Sequence, residues 1–169
     1  LERGGQKTTV LPDYEFKSGD KAKFVYTTNT DAYVYWLSQG TSGEYVMLFP
    51  TPKTGTDNLV KKNAVHTIPV KGAFKFDDKA GSEKILLVMA AEKIPELEAA
   101  ATEAALKDGK VVAESSKVAD VQSQTESKRK TRDLVFEEDD DKESGIATSK
   151  QVNTTPKDAL VVYYELKHK

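Results

Sequence analysis

The sequence contains no cysteine, which removes disulfides, thiolate metal ligands and thiol nucleophiles together. That absence leaves the compartment open, because reducing and oxidising surroundings both tolerate such a chain; the periplasm or cell envelope is expected ahead of the cytoplasm. Histidine is scarce as well, with only His66 and His168, so an imidazole metal site or a Ser-His-Asp triad has little to draw on. Long apolar runs are missing: the longest, residues 33–37 and 85–91, fall far short of the roughly 18 residues that a membrane span requires. Charge of one sign is missing too. The 25 Lys and Arg nearly balance 27 Asp and Glu for a net charge of -2, so no whole-chain field would draw in nucleic acid or an anionic membrane. The chain opens Leu1-Glu2-Arg3 without an initiator methionine, as expected of a processed product or a trimmed chain.

What is present reads as one domain over residues 1–169, long enough to bury a core. Its hydrophobic share of 38% lies below the usual level of about 45 to 50%, so much of the chain is expected at the surface. Residues 1–92 form a β-rich part. Turn chemistry falls at intervals of about ten residues between short apolar segments, as in a sandwich or barrel. Strands are expected at residues 8–11, at Phe16, and at 21–27, where Phe24 and Tyr26 alternate with Lys23 and Thr27 in the period of a half-buried strand. Residues 32–38 (A-Y-V-Y-W-L-S) are apolar on both faces, which predicts a central, doubly covered strand. Residues 39–44 then make a hairpin connection to a strand at 45–49, which Pro50 and Pro52 end. Short strands at 64–69, 73–76 and 84–90 complete the set.

Residues 93–130 read as a helical or mobile insertion. Pro95 suits a first helical turn, and residues 96–107 are rich in Ala, Glu and Leu before Gly109. Residues 115–130 are polar, a marginal helix or a mobile and protease-sensitive connection. Residues 131–169 close the domain with a short strand at 134–136 and a long one at 158–167. The expected fold is therefore mainly β, an antiparallel β-sandwich with a helical insertion before the last strands.

Catalytic machinery is not legible. No G-x-S-x-G elbow, phosphate loop or cofactor fingerprint is present, so neither an enzyme nor a cofactor is expected. His66 reads as a plain surface or packing histidine, and His168 as a terminal, mobile one. The acidic run at residues 137–141 lacks the calcium-loop pattern and reads as a solvated loop. Asp77 and Asp78 read as a turn whose carboxylates cap backbone amides. The basic cluster Lys128, Arg129, Lys130 and Arg132 has no aromatic platform for single-stranded nucleic acid and reads as a charged face. What stands out is the aromatic group Tyr33, Tyr35, Trp36 and Tyr45, with core packing as the ordinary role and a ligand or protein contact as the functional one. Ser18, Gly19, Asp20, Asn29, Asp31 and Asn58 are expected to build turns.

The strings F-K-S-G-D-K (residues 16–21), N-T-D-A-Y-V-Y (29–35), S-Q-G-T-S-G (38–43), L-F-P (48–50) and N-L-V (58–60) belong together, with I-P (68–69), F-D-D (76–78) and G-S-E-K-I-L-L-V (81–88). From about residue 7 to residue 92 the chain resembles a bacterial domain-of-unknown-function family. Its members stand alone or are appended to serine/threonine kinases, caspase-like peptidases and envelope proteins. Ala32 replaces the glycine more usual before Tyr-x-Tyr, and K-T-R-D-L (130–134) with V-V-Y-Y-E-L-K-H-K (161–169) is similar to the tail of stand-alone members. The resemblance implies no catalytic residues. The expected function is a non-enzymatic binding or accessory domain contacting another protein through a sheet edge or aromatic face. Alternatives are a glycan- or small-ligand-binding sandwich and an enzyme with an unrecognised site.

Overall fold

The structure, a computed structural model, describes residues 1–39, 45–106, 112–113 and 159–169. In chain order its elements are β1 (Glu2–Arg3), β2 (Gln6–Lys7), β3 (Lys21–Ala22), β4 (Phe24–Tyr26), β5 (Ala32–Gln39), β6 (Tyr45–Phe49) and β7 (Leu59–Val60). They continue with β8 (His66–Ile68), β9 (Phe74–Lys75), β10 (Gly81–Ala90), α1 (Pro95–Leu106), β11 (Val112–Ala113) and β12 (Leu160–His168).

The large sheet runs β11-β6-β5-β10-β12, with β7 also paired to β5, and every strand pair in it is antiparallel. β5 is central because its alternate side chains are apolar on both faces. Val34 and Trp36 are buried on one face, Tyr35 and Leu37 on the other. β10 repeats this with Ile85 and Leu87 opposite Leu86 and Val88. Each such side chain contributes about 1.5 to 3 kcal/mol when fully buried. A bulge sends Phe49 to the Trp36 face: Trp36 pairs with Phe49 but Leu37 with Met47, leaving Leu48 as the extra residue.

Helix α1 covers the Tyr35 face. Pro95 opens it without losing an internal hydrogen bond, and Glu96 and Glu98 in the first turn suit the positive end of the helix dipole. Leu97, Ala100 and Ala104 recur at helical spacing and are buried against the sheet, the small alanines allowing close approach. The Trp36 face is covered by a second layer made of a four-stranded sheet, β2-β1-β3-β9, and a separate ribbon of β4 and β8. The molecule is thus mainly β, an antiparallel sandwich with, among the described residues, one helix before the last strand.

Several expectations change. Residues 8–11 are not a strand; pairing there belongs to β1 and β2, joined by Gly4 and Gly5 at φ +57° and +83°. Successive positive φ angles are what a tight two-residue hairpin needs and what glycine adopts without strain. The expected strand at 21–27 divides at Lys23, because Lys21 and Ala22 pair with β9 whereas Phe24 to Tyr26 turn onto Trp36 and pair with β8. β7 and β11 were not legible, each being two residues long. His168 is not a loose terminal residue: it ends β12 only 4% exposed, with its ring 5.3 Å from that of Phe76. Backbone bonds explain this, since the Phe16 amide donates to the Lys167 carbonyl at 2.9 Å and the Lys169 amide to the Phe16 carbonyl at 3.0 Å. The hairpin connection at 40–44, the polar segment 115–130, the strand at 134–136, the cluster at 128–132, the acidic run at 137–141 and Gly109 lie outside the described residues.

Candidate functional site

The sheet separates the four aromatic residues singled out above. Tyr33, Tyr35 and Tyr45 belong to the helix-covered face and Trp36 to the other. Tyr35 is fully buried, and its hydroxyl donates to Glu98 Oε1 at 2.7 Å while accepting from the Ile94 amide at 3.1 Å. Asn58 Nδ2 joins the same carboxylate oxygen at 3.1 Å, and Lys93 Nζ holds Oε2 at 2.9 Å. Burial pushes the Tyr35 hydroxyl up. Burial also works against the Glu98 charge, but the hydrogen bonds from Lys93, Tyr35 and Asn58 outweigh it and hold the carboxyl below its usual value. Tyr45 is buried with its hydroxyl 3.2 Å from that of Tyr163, and Tyr33 carries the Lys93 ammonium 5.5 Å from its ring centre.

The turn residues divide likewise. Gly19 takes φ +84°, and buried Asp20 accepts from the Lys17 amide at 2.8 Å and from Arg3 at 2.7 and 2.6 Å. The Arg3 guanidinium first of all holds the Asp20 carboxyl below the usual range. Ser18 lies exposed in this turn. Asp31 reaches across to the next loop, accepting from the Lys62 amide at 2.9 Å and the Lys61 ammonium at 2.8 Å, while Asn29 is exposed. Asn58 ties its loop to β5 as well, its carbonyl accepting from the Val34 amide at 3.0 Å. Asp77 caps the Lys79 amide at 2.9 Å. His66 Nε2 accepts from the Lys61 amide at 3.2 Å, and its ring stacks on Tyr26.

On the Trp36 face the covering layer leaves a cleft of about 1580 Å³. Its floor includes Trp36, Leu87, Met89, Val162 and Tyr164 of the large sheet. Trp36 is packed between rings, 4.7 Å from Phe24 in a parallel stack and 6.3 Å from Tyr164. One wall is residues 24–28 and the other residues 8–12. Successive residues of both walls border the cleft, so backbone as well as side chains of these segments line it. Within it Tyr26 is pushed up to about 12 by burial, the Trp36 indole pulling the other way. The Thr28 hydroxyl, two residues beyond β4, is buried with no hydrogen-bond partner among the described residues. β8 is the one strand paired to β4 among the described residues.

The charged residues bordering the cleft are Lys7, Lys21, Lys23 and Lys75 against Glu2. Among the described residues no group of three His, Asp or Glu is placed to hold a metal, and no helix is long and apolar enough to cross a membrane. Neither β4 nor residues 8–12 stand out in the sequence as site residues. The one available signal was the alternation of residues 23–27, which reports a half-buried strand and not a missing neighbour.

No curated protein and no solved structure matches the chain. The resemblance read from the motifs is borne out over the stretch that carries β4, β5 and β10: residues 15–93 match the family described as Domain of unknown function (DUF4384).

Proposed function

We propose that this chain is a non-enzymatic binding module that takes an extended segment of another protein into the cleft beside β4. The observation that carries the reading is the position of β4 (Phe24–Tyr26): it pairs with β8 alone among the described residues, and its residues border the cleft. A strand edge presents N–H and C=O groups that another extended chain satisfies, so such an edge is a template for strand addition. The aromatic and aliphatic floor then supplies pockets for alternate side chains of the incoming strand. At about 1580 Å³ the cleft exceeds the roughly 300 to 1,000 Å³ of ordinary small-ligand sites, which suits a peptide segment better than a compact metabolite.

The glycan alternative has less support. Sugar stacking needs exposed ring faces, whereas Tyr35, Trp36 and Tyr45 are each at most 5% exposed. Val25 and Val65, 64% and 71% exposed beside the cleft, favour a protein contact instead. The test is selection of binders from a displayed library of random peptides, followed by amide-exchange mapping of the complex. Protection gained at residues 24–28 is expected. Binders that protect α1 or the 61–63 turn and leave β4 unchanged would refute the reading.

A further inference from the structure

We infer that the segment accepted beside β4 is acidic, its carboxylates seated on a row of lysines that crosses the small sheet at the mouth of the cleft; this rests on the strand-binding reading above. The row follows from the register. Lys7 on β2 pairs with Glu2 on β1, Glu2 pairs with Lys21 on β3, and Lys21 pairs with Lys75 on β9. Directly paired residues of neighbouring strands project to the same face with Cβ atoms about 4.5 to 5.5 Å apart. Three lysines and one glutamate therefore stand side by side, and all four border the cleft.

Glu2 is the single acid among them and reaches Lys21 at only 3.8 Å. Lys21 and Lys75 are like charges placed directly opposite each other, an arrangement that destabilises a ladder unless an anion lies between or above them. Lys23, the residue linking β3 to β4, adds a fourth cation at the cleft; its ammonium donates to the Pro69 carbonyl at 3.3 Å and meets no carboxylate among the described residues. The chain as a whole is slightly acidic at -2, so this concentration of lysine is local. An amphiphile with a carboxylate head would meet the lysines and the apolar floor but leave the β4 backbone edge unsatisfied. An acidic, apolar-alternating strand answers all three features: backbone edge, apolar floor and basic row.

The test compares short extended peptides that alternate valine with glutamate, with glutamine or with lysine, titrated into the full chain by calorimetry. The glutamate set is expected to bind about tenfold or more tighter than the glutamine set, with the difference collapsing at high salt. Lys21→Glu with Lys75→Glu, both at exposed positions, is expected to reverse the order so that the lysine set binds best. Lys21→Gln with Lys75→Gln is expected to level the sets without reversing them. Equal binding of glutamate and glutamine sets would overturn the acidic partner while leaving strand addition standing. Binding of none of the sets would overturn both. Saturable binding of a long-chain fatty-acid anion in place of every peptide would overturn the inference in favour of an amphiphile.

Discussion

The Tyr35 hydroxyl lies 2.7 Å from Glu98 Oε1, so the central strand and the first turn of the only described helix are joined by a partly buried, charge-assisted hydrogen bond. The same hydroxyl accepts from the Ile94 amide, and the same carboxylate gathers Asn58 and Lys93. A residue conspicuous in the sequence as an aromatic with a polar handle thus fixes where α1 sits on the sheet.

Tyr35→Phe is expected to lower unfolding free energy by about 1 to 3 kcal/mol, because it leaves the partly buried Ile94 amide without its acceptor and Glu98 without one donor. Chemical denaturation by urea measures this. A loss within experimental error would mean that α1 is held by its apolar face alone.

Asp20 and Glu98 both titrate below their ordinary values in the folded chain. A depressed folded pKa means that the native state favours the charged form. The stabilisation is therefore full above the unfolded carboxylate range, near pH 4, and drains away as pH falls through and below it. Stability is expected to fall steeply on that acid side, and Asp20→Asn to flatten the slope while costing about 2 kcal/mol at neutral pH. A stability curve of unchanged acid slope in Asp20→Asn would contradict the assignment.

Gly55 is a position where the backbone and the space around it agree. Its φ is +124°, and a Cβ there would stand 2.9 Å from Val70 Cγ2 and 3.2 Å from Phe49 Cε2. Gly55→Ala is expected to cost about 2 kcal/mol or more, from strain and the clash together. Gly19, equally left-handed but facing open space, is expected to cost about 1 kcal/mol on the same change. Thermal melts of the two variants give the comparison.

His168→Ala is expected to destabilise the chain by about 1 to 3 kcal/mol, since it removes a buried ring packed on Phe76. His168→Phe keeps the ring and removes two buried nitrogens that lack hydrogen-bond partners among the described residues. It is expected to restore most of that loss. If Phe is no better than Ala, the imidazole is held by its 3.6 Å approach to Asp77 and not by packing.

Legibility in the sequence followed burial closely. The doubly apolar run around Tyr33 to Leu37 announced a central strand, and the alanine-rich stretch after Pro95 announced α1 to within one residue at each end. Period two also separates Tyr35 from Trp36 onto opposite faces, but nothing in it says which face meets a helix and which meets a cleft. Residues 8–11 have strand-forming side chains without a strand beside them, so propensity alone misled there. The edge of β4 was illegible for a related reason: alternation records which face of a strand is buried, whereas a vacant edge depends on what lies alongside it in space. The lysine row needed the register of four strands, two of them only two residues apart in the chain.

Trp36 gives the most direct test of strand addition beside β4. It is the sole tryptophan, it forms part of the cleft floor, and it stacks on Phe24 at 4.7 Å. Its emission is followed while the glutamate-valine peptide is titrated in, with calorimetry on the same samples. A blue, quencher-resistant spectrum is expected in the free chain, 4% exposed as the residue is, with a further saturable change in intensity at the same midpoint as the heat. Heat of binding with no change at Trp36 would place the peptide elsewhere and contradict strand addition beside β4.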